Sequence, residues 1–277
     1  MLRRRYRPRG LPVNSLIPNV LTVLALCAGM TSIRFALQER YELAVIAIVV
    51  AAVLDGLDGR VARLLKGATK FGAEMDSLSD FVCFGVAPAL LAFLWSTHEL
   101  GGFGWMASLA FATCCALRLA RFNTALDDPD RPAWTGKFFT GVAAPAGAGF
   151  AMLPLAVSFQ VGDAVRVPEL MSVWLLVVAL LMVSRIPTYS FKGLRVRREQ
   201  VLPLLVVVGI VAAMLVTYPW FVLSTIGFAY LASIPFSVMR YRRYESTVSA
   251  ANDSADGGAA PRAETAEQDP KKGEAAE

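Results

Sequence analysis

The chain has a single histidine, His98, and that scarcity removes most reaction schemes built on an imidazole. His98 lies in a short stretch between two apolar runs and reads as an interfacial residue without a chemical role. Any proton transfer must then fall to a carboxylate. Cysteine is also scarce: Cys27, Cys83, Cys114 and Cys115 all lie inside apolar runs, without the spacing of a zinc site, and read as small buried apolar residues. Charge is thin as well. Only 18% of the 277 residues are charged while 56% are hydrophobic, which is too apolar for a water-soluble domain of this size. An integral membrane protein is expected. The net charge of +5 could suggest nucleic acid, but the cations collect in alternate loops between apolar runs. That is the pattern of membrane topology with some attraction to anionic lipid heads, and no nucleic-acid partner is expected.

Apolar segments long enough to cross a bilayer fall at about 17–37, 42–64, 72–96, 104–123, 139–159, 170–188, 201–218 and 220–239. The expected fold is therefore all-α, with about eight transmembrane helices. The last two are separated only by Thr217, Tyr218, Pro219 and Trp220, which reads as one broken hairpin. Residues 1–16 form a basic segment with Arg3, Arg4, Arg5, Arg7 and Arg9; with no small-x-small cleavage site ahead of a soluble domain, it reads as a cytoplasmic flank. The transmembrane domain spans 17–243. Residues 244–277 change to Ala, Glu, Asp, Gly, Ser and Pro and read as a disordered tail. Arg60, Arg63, Lys66, Lys70, Arg118, Arg121, Arg131, Lys137, Arg185, Lys192 and further cations fall in one set of loops, against Arg34, Arg40 and Arg166 in the other. This asymmetry predicts both termini in the cytoplasm.

What remains is an unusual concentration of carboxylates. Asp55 and Asp58 follow the apolar run Leu43–Leu54, and Asp76 and Asp80 precede the run Phe81–Trp95. A carboxylate at membrane depth is costly unless it faces a cavity, a partner charge or a metal. Asp55, Asp58, Gly59 and Ala62 share one side of a helix, and Gly72, Asp76 and Asp80 are spaced by four on the next. Two helices joined by a short basic loop would present facing acidic stripes. With only oxygen ligands on offer, Mg²⁺ or Mn²⁺ fits better than zinc or copper. Gly59 and Ala62 leave room for a bulky ligand, and Arg63, Lys66, Thr69 and Lys70 suit a phosphate-bearing substrate. A buried ion-pair network with Arg63 and the loop lysines is the plainer alternative. Glu74, two residues from Asp76, points elsewhere.

The pattern D-x2-D-G-x2-A-R-x8-G-x3-D-x3-D is filled by Asp55, Asp58, Gly59, Ala62, Arg63, Gly72, Asp76 and Asp80. It resembles the signature of the CDP-alcohol phosphatidyltransferases, with no departure at any fixed position. The resemblance implies a membrane enzyme that moves a phosphatidyl group from CDP-diacylglycerol to a small alcohol and releases CMP. It also implies two metal ions on the diphosphate, held by the four aspartates, with Asp80 as the base, and a homodimer. Gly59, Ala62, Arg63 and Thr69 would receive the nucleotide. Asn19 and Thr22, in IPNVLT, either form an N-terminal helix turn after Pro18, with Asn19 as a cap, or contribute to the nucleotide site as the similar run does in family members.

The acceptor is read from RLARFN, where Arg118 and Arg121 lie near the end of the fourth span beside Phe122. A forked guanidinium matches a carboxylate bidentately, whereas snorkelling to lipid phosphate is the ordinary use of such an arginine. FVCFGVAPALL, RLARFN and KFFTGVAAPAGAG, the last from Lys137, together resemble the phosphatidylserine synthase branch of the family, in which Arg118 and Phe122 look suited to hold L-serine. Lys137, Gly141 and Pro145 read either as an anchor with small packing residues or as substrate contacts. The expected reaction is phosphatidyl transfer from CDP-diacylglycerol to L-serine at the cytoplasmic face of a bacterial inner membrane. Glycerol 3-phosphate or an inositol phosphate is the alternative acceptor; these dianions should want more cations than Arg118 and Arg121. A cation transporter is the more distant reading, and it would need polar residues through helices five to eight, which carry almost none.

Overall fold

A computed structural model describes residues 13–67, 69–126, 138–184, 187–189 and 201–236. Among the described residues there are eight long helices, besides two short 3-10 turns: α1 (Val13–Leu37), α2 (Tyr41–Leu64), α3 (Lys70–Trp95), α4 (Gly102–Leu126), α5 (Ala144–Val161), α6 (Pro168–Val183), α7 (Val201–Thr217) and α8 (Pro219–Phe236). Five helical segments, in α1, α3, α4, α5 and α8, are long and apolar enough to cross a membrane, and α6 and α7 are shorter apolar helices. In α2 the last ten residues carry Asp55, Asp58, Arg60 and Arg63, so its apolar part stops short. Large apolar side chains lie exposed along α1, α6 and α7, among them Val20, Val23, Leu170, Leu180, Leu202 and Leu205. In water such a surface would be an aggregation liability; against lipid it costs nothing.

The packing of the first helices follows from residue size. Ala25 and Ala36 of α1 and Ala44, Ala47 and Ala51 of α2 are buried, and small side chains let two helices approach closely. The pair is turned by a tight reversal in which Glu39 takes φ 59 and the Arg40 amide bonds to the Phe35 carbonyl at 2.9 Å. At the opposite end α2 closes with Lys66 at φ 50 and the Gly67 amide bonded back to the Ala62 carbonyl at 3.0 Å. Only two residues then separate Gly67 from Lys70, so α3 begins beside the end of α2.

Prolines explain the irregular turns. Pro88 has no N–H for the Phe84 carbonyl, and just before it α3 widens to a π turn over Phe81–Val86, where the Ala87 amide reaches back to Val82. The turn starts directly after Asp80. In α5, Pro154 cannot bond the Phe150 carbonyl, and the helix breaks at Met152; the orphaned carbonyl accepts instead from the indole N–H of Trp174 in α6 at 2.7 Å.

Three expectations need correction. The fifth span begins at Ala144 rather than 139 and the sixth ends at Val183 rather than 188. Beside these ends lies a short ribbon: Phe138–Thr140 pairs antiparallel with Pro187–Tyr189, with Phe139 opposite Thr188. Gly141 turns the strand into the helix at φ +79, and a Cβ there would meet the Met182 carbonyl oxygen at 2.6 Å, so another residue type would be strained twice over. Lastly, α1 starts at Val13, so Pro18 is inside the helix and Asn19 is not its cap. Lys137, the basic segment through Pro12 and the tail from residue 244 lie outside the described residues.

Candidate active site

Three buried stripes change character at the same end of the bundle. On α2 the buried positions Ala44, Ile48 and Ala51 continue, at spacings of four or three, into Asp55 and Asp58. On α3 the stripe Trp95, Leu91, Ala87 and Phe84 continues into Asp80 and Asp76. On α4 Ala107, Phe111 and Cys115 lead to Arg118 and Phe122. Each helix therefore aims its polar residues at the interior it has just filled with apolar ones.

Asp55, Asp76 and Asp80 converge, with one carboxylate oxygen from each lying within 4.8 Å of the others. The carboxyls of Asp55 and Asp80 are hydrogen-bonding neighbours, yet Oδ1 of Asp80 is buried without a partner. A trio of carboxylates this close, with an orphaned oxygen, suits a hard divalent cation, which would replace mutual repulsion by shared ligation. Asp58 stands beside them but is turned: its Oδ2 accepts the Thr22 hydroxyl at 2.6 Å, and the residue is only 4% exposed. The Thr22 oxygen also lies 3.1 Å from the Pro18 carbonyl, but a hydroxyl has one proton, and the shorter contact to a charged acceptor is the stronger bond. Thr22 thus orients Asp58.

The loop end of the site is built around Gly72. Thr69 caps α3, its hydroxyl accepting the Gly72 amide at 3.0 Å. A Cβ on Gly72 would meet Asn19 Oδ1 at 2.7 Å and Thr69 Oγ1 at 3.1 Å. Gly72→Ala should therefore displace Asn19 and loosen the cap, lowering the CMP release that the resemblance implies by about tenfold while the protein still folds, since Asn19 can rotate and a lost cap costs about 1 kcal/mol. A Gly72→Ala enzyme with wild-type turnover and wild-type affinity for the nucleotide lipid would show that the approach has no bearing on the site. Gly59 faces open space, Ala62 is half-buried, and the exposed Arg63 donates through Nε to the Gly59 carbonyl at 3.0 Å. The other sequence-derived positions Lys66, Lys70 and Glu74 are exposed.

On α4, Arg118 is buried, 9% exposed, with Nε unpartnered and its guanidinium 5.7 Å from the Phe122 ring centroid. Its charged and polar neighbours are Asp80, Cys115 and Tyr230 of α8. Arg121 diverges: it is exposed and donates to the Val183 carbonyl at the end of α6 at 2.7 Å. The two arginines, three residues apart, thus have different surroundings. A contact that sequence reading missed is Asn123, whose Nδ2 donates to Ser77 Oγ at 2.8 Å. The only available signal was an amide side chain at the end of a span. His98, at the far end, lies in a turn with its Nδ1 3.2 Å from the Phe93 carbonyl.

An apolar groove of about 690 Å³ leads away from the carboxylates. It is lined by Ile48 and Ala52 of α2, Phe84 of α3, Phe150 of α5 and Ile226 and Tyr230 of α8, among others. Ala52 is one turn before Asp55 and Phe84 one turn after Asp80.

A sequence model described as CDP-alcohol phosphatidyltransferase matches residues 15–184, which covers α1 to α6, and a second, CDP-alcohol phosphatidyltransferase 2, matches 199–235, covering α7 and most of α8. A Mycobacterium tuberculosis protein named CDP-diacylglycerol–serine O-phosphatidyltransferase is 41% identical over 239 residues, 85% of this chain and 83% of its own. Proteins of the same name from Helicobacter pylori and Bacillus subtilis are 35% identical over 67% of this chain and 77% of theirs, and 31% identical over 64% and 91%. The aspartate pattern and the helices that carry it fall within the larger match, and the chain belongs to the CDP-alcohol phosphatidyltransferase family.

Proposed function

We propose that the protein transfers the phosphatidyl group of CDP-diacylglycerol to the hydroxyl of L-serine, giving phosphatidylserine and CMP. The observation that carries this reading is the meeting of an acidic trio with a buried, cationic Arg118 at one end of the bundle, in a chain similar over most of its length to enzymes of that name.

Asp55, Asp58, Asp76 and Asp80 would hold two divalent ions, Mg²⁺ or Mn²⁺. Those ions supply charge neutralisation of the diphosphate as CMP leaves. Arg118, flanked by Phe122, binds the serine carboxylate through its forked guanidinium and directs the hydroxyl toward Asp80. Arg121, held at the end of α6, adds positive potential. Asp80 takes the hydroxyl proton, the serine oxygen bonds to the phosphorus that bears diacylglycerol, and the bond from that phosphorus to the oxygen of CMP breaks. An ordinary carboxylate is a weak base toward an alcohol, so positioning must contribute most of the acceleration. Gly59, Ala62, Arg63, Thr69 and Asn19 receive the nucleotide, with Thr22 acting through Asp58. The acyl chains take the apolar groove beyond Ala52 and Phe84.

The distribution of cations supports a cytoplasmic site in a bacterial inner membrane, with all eight helices crossing, and the family resemblance supports a homodimer. The test is CMP release by the purified full chain with CDP-diacylglycerol and Mg²⁺ or Mn²⁺, on adding L-serine, glycerol 3-phosphate or an inositol phosphate in turn. Serine alone should support release. Release only with a phosphorylated acceptor would keep the aspartate chemistry and overturn the acceptor.

A further inference from the structure

The cytoplasmic ends of α3 and α4 carry the two halves of the proposed acceptor site, Asp76 and Asp80 on one and Arg118 and Phe122 on the other. Deeper in the bundle the two helices meet through small and apolar groups, with the Cα of Gly85 so close to Cys115 that a Cβ would lie 3.2 Å from its Sγ. Toward the site the contact becomes polar. Ser77, between the two aspartates, has a hydroxyl that donates to the Ala73 carbonyl at 3.1 Å and accepts from Asn123 at 2.8 Å. Its single proton and an acceptor lone pair are both engaged, so the direction of the Asn123 bond is set. Asn123 and Ser77 are both half-buried, which limits competition from water.

We propose that Asn123 is a positioning residue for the acceptor: its bond to Ser77 fixes the gap between Asp80 on α3 and Arg118 on α4, and so sets the fit of the serine. The physical need is clear from Arg118, a buried cation whose Nε has no partner and which has Asp80 of α3 as a charged neighbour but, among the described residues, no hydrogen bond to α3. The guanidinium can hold a ligand at reacting distance from Asp80 only if the two helix ends keep their spacing, and an ångström of splay is enough to spoil it. The proposed nucleotide contacts lie on α1, on α2 and at the start of α3, away from the Asn123–Ser77 bond, so they do not depend on it. The inference rests on Arg118 receiving the serine carboxylate.

The experiment is steady-state kinetics on the full chain with Asn123→Ala, Ser77→Ala, the double variant, Ser77→Thr and, as a reference, Arg118→Ala. Loss of one neutral hydrogen bond predicts a rise of about fivefold in KM for serine in each single alanine variant. The double variant should be no worse than either single, because both remove the same bond. KM for CDP-diacylglycerol should stay within about twofold, and Ser77→Thr, which keeps the hydroxyl, should behave as wild type. Additive effects in the double variant, or equal rises in both KM values with a lowered thermal midpoint, would mean a general structural role and overturn the proposal. If Arg118→Ala raises KM for serine while Asn123→Ala and Ser77→Ala do not, positioning by Asn123 fails and the acceptor reading stands. If Arg118→Ala itself leaves KM for serine unchanged, the acceptor reading fails first.

Discussion

Asp80→Asn should lower CMP release in the presence of serine by about a thousandfold or more, while leaving the protein folded. Asparagine keeps the shape of the side chain but can neither take a proton nor bring a negative charge to a cation. Asp80 sits where three carboxylates come within 4.8 Å, and one of its oxygens is buried without a hydrogen bond. Such an arrangement is unfavourable by itself, since like charges in a poorly hydrated place repel. Removing one should therefore not reduce the thermal midpoint measured in chelator, and should raise it if repulsion dominates. Mg²⁺ or Mn²⁺ should raise the midpoint of the wild type, because a ligand that binds only the folded state stabilises it, and should raise that of Asp80→Asn much less. A variant turning over within tenfold of wild type would remove Asp80 from the chemistry. A wild type indifferent to divalent ions would make the trio a buried polar network sharing protons.

Arg118→Ala should raise KM for serine about a hundredfold, on the basis of two charge-assisted hydrogen bonds to a carboxylate at about 1.5 kcal/mol each. KM for CDP-diacylglycerol should change little, because the proposed nucleotide contacts are on α1, α2 and the start of α3 rather than on α4. Arg118→Lys should recover only part of the loss: an ammonium restores the charge but not the fork, and it stacks less well on Phe122. The stability outcome separates binding from structure. Arg118 is a buried cation with an unpartnered Nε and no hydrogen bond to Asp80 among the described residues, so its removal forfeits the attraction to Asp80 but also relieves a buried charge, and the thermal midpoint should fall only modestly in the absence of substrate. A large fall in thermal midpoint with both KM values raised together would mean that Arg118 serves to hold α4 in place. Arg121→Ala, by contrast, removes the bond to the Val183 carbonyl, and its effect on serine should be far smaller.

The helices were legible because their signals are local. Apolar runs of bilayer length, Pro at the start of α6 and α8, and the short link between α2 and α3 are all written in consecutive residues. The two-stranded ribbon was not legible, since three residues on each side of two helices carry no periodicity until they pair. Nor was the true start of α1, where Pro18 looked like an opening residue and is in fact accommodated within a helix. The break in α5 at Pro154 could have been suspected; that Trp174 would satisfy the freed carbonyl of Phe150 could not.

By itself the sequence determined the chemistry on offer: four aspartates at helical spacing, no imidazole near them, small residues beside them, and an arginine four residues before an aromatic, all flanked by hydrocarbon-compatible runs. These are properties of residue type and of separation along one helix, and a helix keeps such separations whatever it packs against. Only the tertiary structure decided which of these groups meet. It brought Asp55 from α2 to Asp76 and Asp80 of α3, turned Asp58 to Thr22, buried Arg118 while sending Arg121 to the end of α6, and joined Asn123 to Ser77 across 46 residues. The reason is that spacing along a chain sets a direction around one helix axis, whereas the distance between groups on different helices depends on how closely and at what height the helices pack. That is set by the alanines, prolines and turns between them, acting together.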